Sequence, residues 1–153
     1  MEEMTREDAL AFLTEQLLGH LAVIDGDEPY VSPISYVVTD NTLYFRTRPG
    51  RRLSVLKTNP RICVETSLVD DAGGMWSSVC AWGNATTVED PQVGATVVSM
   101  LLEKYADSSE SVLSYAKGPN LGVEASIVEV PLDEVTGRAS GGELGTHVRP
   151  GRL

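Results

Sequence analysis

Acidic residues are absent between Asp40 and Glu65, although the 153-residue chain contains 22 of them and has a formal net charge of -10. The same stretch carries six of the twelve lysines and arginines, namely Arg46, Arg48, Arg51, Arg52, Lys57 and Arg61. The pI near 4.5 excludes a broad positive field and therefore general binding of nucleic acid or anionic membrane. A basic segment in so acidic a chain indicates either a site for one specific anion or a solvated loop.

Long apolar runs, cysteines and histidines are also scarce. No apolar run approaches the roughly 20 residues of a membrane span, and the acidic N-terminus is unlike a signal peptide, so we expect a cytoplasmic protein. Cys63 and Cys80 have no partner at metal-ligand spacing and are predicted to be two buried thiols in a reducing compartment. His20 and His147 lie far apart in sequence and define no metal site.

Helices are predicted near the start, the middle and the later part of the chain. Thr5, with Asp8 three residues later, is typical of an N-cap, and we expect the helix that follows to end at Gly19. The apolar face of that helix is formed by Leu10, Leu13, Leu17 and Leu18. The other predicted helices are Arg51–Thr58, Pro91–Tyr105 and Ser109–Lys117.

Short segments rich in β-branched and aromatic residues fill most of the remaining chain, with Gly26-Asp27 and Asp40-Asn41 as hairpin turns. The predicted strands are Leu21–Asp25, Pro29–Val38, Thr42–Thr47, Arg61–Ser67, Trp76–Glu89, Val123–Val130 and Glu134–Arg138. Gly83 is a predicted bulge or close approach within its strand. This meander order predicts a mainly β domain over residues 1–140, a small antiparallel barrel with peripheral helices. Residues 141–153 are Gly-rich and polar, which indicates a flexible or partner-bound tail.

Four stretches in this order resemble the FMN-binding split-barrel family, the pyridoxamine phosphate oxidase-like flavoproteins. They are Pro29–Tyr36, Leu43–Arg61, Trp76–Ala85 and Glu134–Arg138, and the resemblance extends over about residues 10–138. The resemblance implies a six-stranded antiparallel split barrel that binds FMN at the interface of a homodimer.

The resemblance also implies a set of cofactor-binding residues, some of which would serve the flavin of the second subunit. They are Pro33, Ile34 and Ser35 along the isoalloxazine ring, Phe45, Arg46 and Thr47 beside the ribityl chain and phosphate, Arg51 and Arg52 at the phosphate, and Trp76, Ser77 and Ser78 towards the ring edge. Arginine at the phosphate agrees with the residues themselves, because its planar, permanently charged fork suits phosphate oxygens.

The residues leave the activity open. The tail at Arg149–Leu153 does not reproduce the spacing of the substrate-phosphate segment in the true oxidases, which favours a general flavin reductase or nitroreductase-like protein. No catalytic side chain is predicted, since hydride chemistry belongs to the flavin. The alternatives are a deazaflavin-dependent reductase of the same fold and a protein that holds flavin or haem without turnover, with His20 and His147 as the available axial ligands.

Overall fold

The computed structural model describes residues 1–70, 74–107 and 125–140 of the protein. The predicted helix at 109–117 and the tail at 141–153 lie outside these residues. The helices and strands of the described residues are, in chain order, β1 (Glu2–Glu3), α1 (Arg6–Glu15), β2 (Gly19–Asp25), β3 (Glu28–Ile34), β4 (Tyr36–Thr39), β5 (Thr42–Thr47), α2 (Arg51–Thr58), β6 (Arg61–Val69), β7 (Trp76–Asn84), β8 (Thr86–Thr87), α3 (Pro91–Lys104) and β9 (Ser126–Ser140).

All strand pairs are antiparallel, and the strands follow the order β3-β2-β6-β7-β9-β5-β4 across a single curled sheet. The long strand β9 pairs with β5 through its first half and with β7 through its second half, which joins the two halves of the sheet. The two-residue strands β1 and β8 also pair with β9. This arrangement confirms the predicted mainly β split barrel.

The strand count differs from the expected six, because the described residues form nine strands. The segment predicted as Pro29–Val38 divides at Ser35 into β3 and β4, which lie at opposite ends of the sheet order. The two predicted closing strands are instead one continuous strand, β9. The alternation of apolar and polar residues could not place these strand boundaries. A bend within an apolar run leaves the period of two unchanged, so the sequence does not show where one strand ends.

The barrel interior is filled by every second residue of the strands. Along β5, Leu43 and Phe45 are fully buried, whereas Tyr44 and Arg46 on the opposite face are partly exposed, as their alternation predicts. Gly83 stands at a shift in the register between β7 and β9, which confirms the predicted bulge. A side chain there is excluded, because a Cβ atom would lie 2.3 Å from the carbonyl oxygen of Pro131.

The helices begin where the sequence predicts, but α1 ends early. Thr5 Oγ1 accepts a hydrogen bond from the backbone N–H of Asp8 at 3.1 Å, which confirms the predicted cap. The helix ends at Glu15 rather than at Gly19, and Leu17 and Leu18 beyond it are exposed. Gly19 instead opens β2 against the ring of Tyr36, where a Cβ atom would lie 2.9 Å from the ring. In the described part of the chain, no helix is both long and apolar enough to cross a membrane.

Candidate functional site

The first turn of α2 differs from the first turns of the other two described helices. Thr5 caps α1 and Asp90 caps α3 through side-chain hydrogen bonds, whereas Gly50 at the start of α2 provides no side chain. The turn contains no acid and begins with Arg51 and Arg52. Unsatisfied N–H groups and the positive end of the helix dipole favour an anion, so two cations are unfavourable here unless an anion binds.

Arg51 lies on the outside of this turn and is only partly engaged. Its Nε donates to Asp25 Oδ2 at 2.6 Å, and its guanidinium lies 4.5 Å from the centre of the Tyr30 ring. The side chain remains 54% exposed, and its terminal Nη groups have no partner among the described residues. One edge of the fork is therefore free to bind a second acceptor.

Arg52 fastens α2 to β3. Its Nε and Nη2 donate to the Oγ of Ser32 at 3.0 and 2.9 Å, and Nη2 also donates to the carbonyl oxygen of Pro33 at 2.9 Å. Ser32 is buried, so Arg52 satisfies a hydroxyl that has lost its contact with water. The arginine segment and the predicted ring-binding segment at Pro33 are thus brought into direct contact.

The β5 residues of the predicted site lie at different depths. Phe45 is fully buried in the barrel core, and Thr47 is also buried, with its Oγ1 donating to the carbonyl oxygen of Arg48 at 3.3 Å. Arg46 is partly exposed on the opposite face of the strand. Of these three predicted contacts, the Arg46 side chain is the one that lies towards the surface.

The bend from Pro33 to Tyr36 is held on its other side by the end of α3. The Tyr105 hydroxyl accepts from the backbone N–H of Tyr36 at 3.0 Å and donates to the carbonyl oxygen of Leu17 at 2.6 Å. Lys104 Nζ donates to the carbonyl oxygen of Tyr36 at 3.0 Å and lies 4.2 Å from the centre of the Tyr36 ring. Because β4 is the last strand of the sheet, these side chains occupy the edge that a further strand would take.

Burial shifts the pKa values of the side chains on the α3 side of the bend. It lowers the pKa of Lys104 to about 8 and raises the pKa of Tyr36. It also raises the pKa of Tyr105, against the opposing effect of hydrogen bonds with the Tyr36 backbone and the Ser35 side chain. Ser35 directly precedes Tyr36, whose backbone N–H donates to the Tyr105 hydroxyl, whereas the side chain of Ile34 is buried in the core.

The fourth predicted group, at the start of β7, lies apart from the arginines. Trp76 is 39% exposed and faces Val69 across the strand pair, and Ser77 is partly buried. In the described residues, no hydrogen bond or ion pair joins Trp76 or Ser77 to the arginine segment. Ser78 has a partner on the neighbouring strand β6, because its Oγ donates to Glu65 Oε1 at 3.1 Å.

Glu65 extends this link to His20, and neither residue was expected at the site. Glu65 Oε2 lies 3.3 Å from His20 Nδ1, and His20 is the register partner of both Glu65 on β6 and Pro33 on β3. A polar row therefore runs from Ser78 to the predicted ring segment. The sequence had marked His20 only as a possible haem ligand, and the sole available signal was its place on the outer face of an alternating strand.

The two thiols lie on the same outer face as this row. Cys63 and Cys80 are free and partly buried, where the sequence predicts buried thiols. Burial, and secondly the charge of the neighbouring Cys80, raises the pKa of Cys63 to about 12, and burial also raises the pKa of Cys80. Both are therefore weak nucleophiles near neutral pH.

A comparison with protein families identifies the chain. The family model described as pyridoxamine 5'-phosphate oxidase matches residues 5–139. RA0666, a protein of Rhizobium meliloti (strain 1021), is 29% identical over 80 residues, and that match spans 52% of each chain. The matched part of this chain thus spans about half the length of that curated relative.

Solved structures of low sequence identity share the fold. A FAD-binding protein of Mesorhizobium loti has a TM-score of 0.73 at 22% identity, over 92% of this chain and 98% of that one. The FAD-binding protein of Mycobacterium smegmatis has a TM-score of 0.60 at 22% identity, over 91% and 97%. The flavocytochrome Anf3 of Azotobacter vinelandii has a TM-score of 0.69 at 17% identity, over 92% and 70%. With nearly its whole barrel matched by the family model, the chain belongs to the pyridoxamine 5'-phosphate oxidase family of split-barrel proteins.

Proposed function

We propose that this protein binds FMN and acts as an FMN-dependent oxidoreductase on a small-molecule substrate. The observation that carries the proposal is the start of α2, where two arginines adjoin helix N–H groups that no side chain caps. A phosphate with nearly two negative charges and several acceptor oxygens complements this arrangement. The similarity to flavin-binding proteins and to a flavocytochrome supports the flavin class of ligand.

The geometry of the arginines fits a phosphate in a specific way. Arg52 is already oriented by Ser32 and Pro33, so little side-chain entropy remains to be lost when an anion binds. Arg51 presents its free Nη edge while Asp25 holds its Nε. The carboxylate of Asp25 would repel a phosphate placed against it, so the anion is expected on the side of Arg51 that faces away from Asp25.

The remaining residues would hold the flavin beyond its phosphate. Pro33 and Ser35 lie on the bend that Arg52 and Tyr105 fix from its two sides, which makes a rigid support for the ring. Arg46 would contact the ribityl chain or phosphate, and Phe45 would shape the site from the core. When bound, FMN supplies the hydride chemistry, and these residues bind and orient it.

The proposed assembly is a homodimer with the cofactor at its interface. The outer face of the sheet supports it, because Ile24, Val31, Val69 and Trp76 are all exposed there, Val31 to 59%. The apolar segment Val79–Ala85 buries Val79, Ala81 and Ala85 within its own barrel, so the interface would use the opposite face of β7. Light scattering should give twice the 16.5 kDa mass of the chain.

The experiment is a titration of the purified protein with FMN, with riboflavin and with FAD. We expect FMN to bind most tightly, since riboflavin lacks the phosphate and the adenylate of FAD has no assigned place. Arg51→Ala removes a charge-assisted bond worth about 1.5–3 kcal/mol and should weaken FMN roughly tenfold or more. Riboflavin affinity should not change, because the lost group acts on the phosphate.

The matched control is Arg61→Ala. Arg61 is also an exposed arginine paired with a carboxylate, Asp133, but it lies beyond the far end of α2. Equal FMN affinity in Arg51→Ala and the unmodified protein would contradict the proposed phosphate site. Tight binding of a deazaflavin in the absence of FMN binding would identify the cofactor as the alternative one, and a haem spectrum would indicate the binding-only alternative.

A further inference from the structure

One row of side chains crosses four neighbouring strands on the outer face of the sheet. The register places Pro33 on β3 opposite His20 on β2, His20 opposite Glu65 on β6, and Glu65 opposite Cys80 on β7. Ser78 is one step further along β7 on the same face and hydrogen-bonds Glu65. With strands about 4.8 Å apart, the row from Pro33 to β7 is about 14 Å long.

His20 is the fixed member of this row with an unused polar atom. A carboxylate only accepts hydrogen bonds, so the contact between Glu65 Oε2 and His20 Nδ1 places the hydrogen on Nδ1. Glu65 is itself held by the Ser78 hydroxyl at 3.1 Å. Nε2 of His20 has no partner among the described residues, and the side chain is 46% exposed. The imidazole is thus oriented by its neighbours and presents one free nitrogen.

We propose that His20 is a flavin-ring contact of the site, held in place by Glu65 and Ser78, with Nε2 as the atom that hydrogen-bonds the polar edge of the ring. The inference rests on the proposed function. Pro33 and Ser78 are both proposed ring contacts, and His20 and Glu65 occupy the two strands between them. Even if Ser78 serves the ring of the second subunit, His20 still adjoins Pro33.

The charges around His20 favour this role over a simple surface ion pair. Among the described residues, Glu65 is the ionisable residue opposite His20 in the register, and the Cys63 thiol is one step along β6 on the same face. Cys80 on β7 and Arg138 on β9 lie beyond Glu65, while Pro33 on β3 carries no charge. A neutral ring covering this face would desolvate Glu65. His20 supplies the balancing hydrogen on one carboxylate oxygen and Ser78 supplies it on the other, so the covered carboxylate stays satisfied.

Loss of a ring contact weakens the binding of both FMN and riboflavin, whereas loss of a phosphate contact weakens the binding of FMN alone. We expect His20→Ala to weaken FMN and riboflavin by the same factor, roughly threefold to tenfold for one lost hydrogen bond. Arg51→Ala should weaken FMN alone. The visible absorption bands of FMN bound at saturation should shift in His20→Ala, since they report hydrogen bonding at the ring, whereas a structural role would leave them in place.

Three further variants complete the test. His20→Gln can place an amide near the position of Nε2 and should recover part of the affinity for both ligands. Glu65→Gln should have a smaller effect than His20→Ala, because Glu65 acts by positioning the imidazole. The control is Thr136→Ala, an exposed residue on the same face opposite Cys80, which should leave both affinities and the spectrum unchanged.

The outcomes separate this inference from the proposed function. If the unmodified protein binds neither FMN nor riboflavin, the proposed function fails and the inference fails with it. If FMN binds and His20→Ala changes neither affinity nor spectrum, the function stands and the ring contact is wrong. Loss of FMN affinity without loss of riboflavin affinity would also overturn it. Should His20→Ala fail to fold, His20→Gln and Glu65→Gln, checked by thermal unfolding, decide by the same comparison.

Discussion

Two cations hold the bend between β3 and β4 from opposite sides, and their surroundings differ. Arg52 donates to Ser32 and to the Pro33 carbonyl from the partly exposed side, beside the uncapped start of α2. Lys104 donates to the Tyr36 carbonyl from the buried side, against two aromatic rings. Both side chains satisfy backbone or hydroxyl acceptors, and among the described residues neither forms an ion pair.

The difference lies in whether the charge is available to a ligand. An arginine near water keeps its charge at little cost and can direct it to an arriving phosphate. Burial lowers the pKa of Lys104 to about 8, so its charge is costly and its contribution is the hydrogen bond that closes the edge of β4. We infer that the Arg52 side of the bend serves ligand binding and the Lys104 side serves stability.

Arg52→Ala should have the largest effect, because Arg52 alone takes part in both roles. We expect FMN affinity to fall about tenfold or more, and the free energy of unfolding to fall by about 1–3 kcal/mol as the buried Ser32 hydroxyl loses its partner. Fluorescence titration and urea unfolding measure the two effects. Arg52→Lys keeps the charge without the fork and should be intermediate in both. Lower stability with unchanged FMN affinity would reduce Arg52 to a structural role.

Lys104→Met tests the buried side through pH. The folded pKa of about 8 lies below the ordinary 10.5, so between these values the unfolded chain binds more protons and stability due to Lys104 rises with pH. The rise amounts to at most about 3 kcal/mol. Cys63 opposes it above pH 9, because its folded pKa is raised to about 12. The difference between the unmodified protein and Lys104→Met, followed by urea unfolding from pH 7.5 to 10.5, isolates the lysine, and a constant difference would contradict the prediction.

Much of the fold could be predicted because local signals and burial agree along most of the chain. The α2 bounds, the Thr5 cap, the two hairpin turns and the bulge at Gly83 all follow from residue types whose preferences the barrel keeps. The prediction failed where tertiary contacts decide. Leu17 and Leu18 continue the helical period, but the chain leaves α1 at Glu15 so that Gly19 can pass under the Tyr36 ring.

The candidate site shows the same limit. The arginines were evident from composition, since their concentration in an acidic chain is visible without a structure. Their partners Asp25, Ser32 and Tyr30 come from two other strands and required the register. His20 and Glu65 are 45 residues apart and meet only because β2 and β6 are neighbours in the sheet. Contacts of this kind depend on strand order, which a single sequence states only weakly.

Tyr105→Phe should have the smallest effect and gives the sharpest test of the division between the two sides. The Tyr105 hydroxyl satisfies the N–H of Tyr36 at the edge of β4, and its loss should cost about 1–2 kcal/mol of unfolding free energy. FMN affinity should stay within about twofold, a change below 0.5 kcal/mol, since Arg52 still holds the Pro33 side. Tyr44→Phe is the matched control, because Tyr44 lies on the adjacent strand β5 and its hydroxyl has no partner among the described residues. The free energy of unfolding of the Tyr44→Phe protein should therefore be unchanged. A large loss of FMN affinity in Tyr105→Phe would show that the bend transmits strain from its buried side to the site, and the separation of binding from stability would then be wrong.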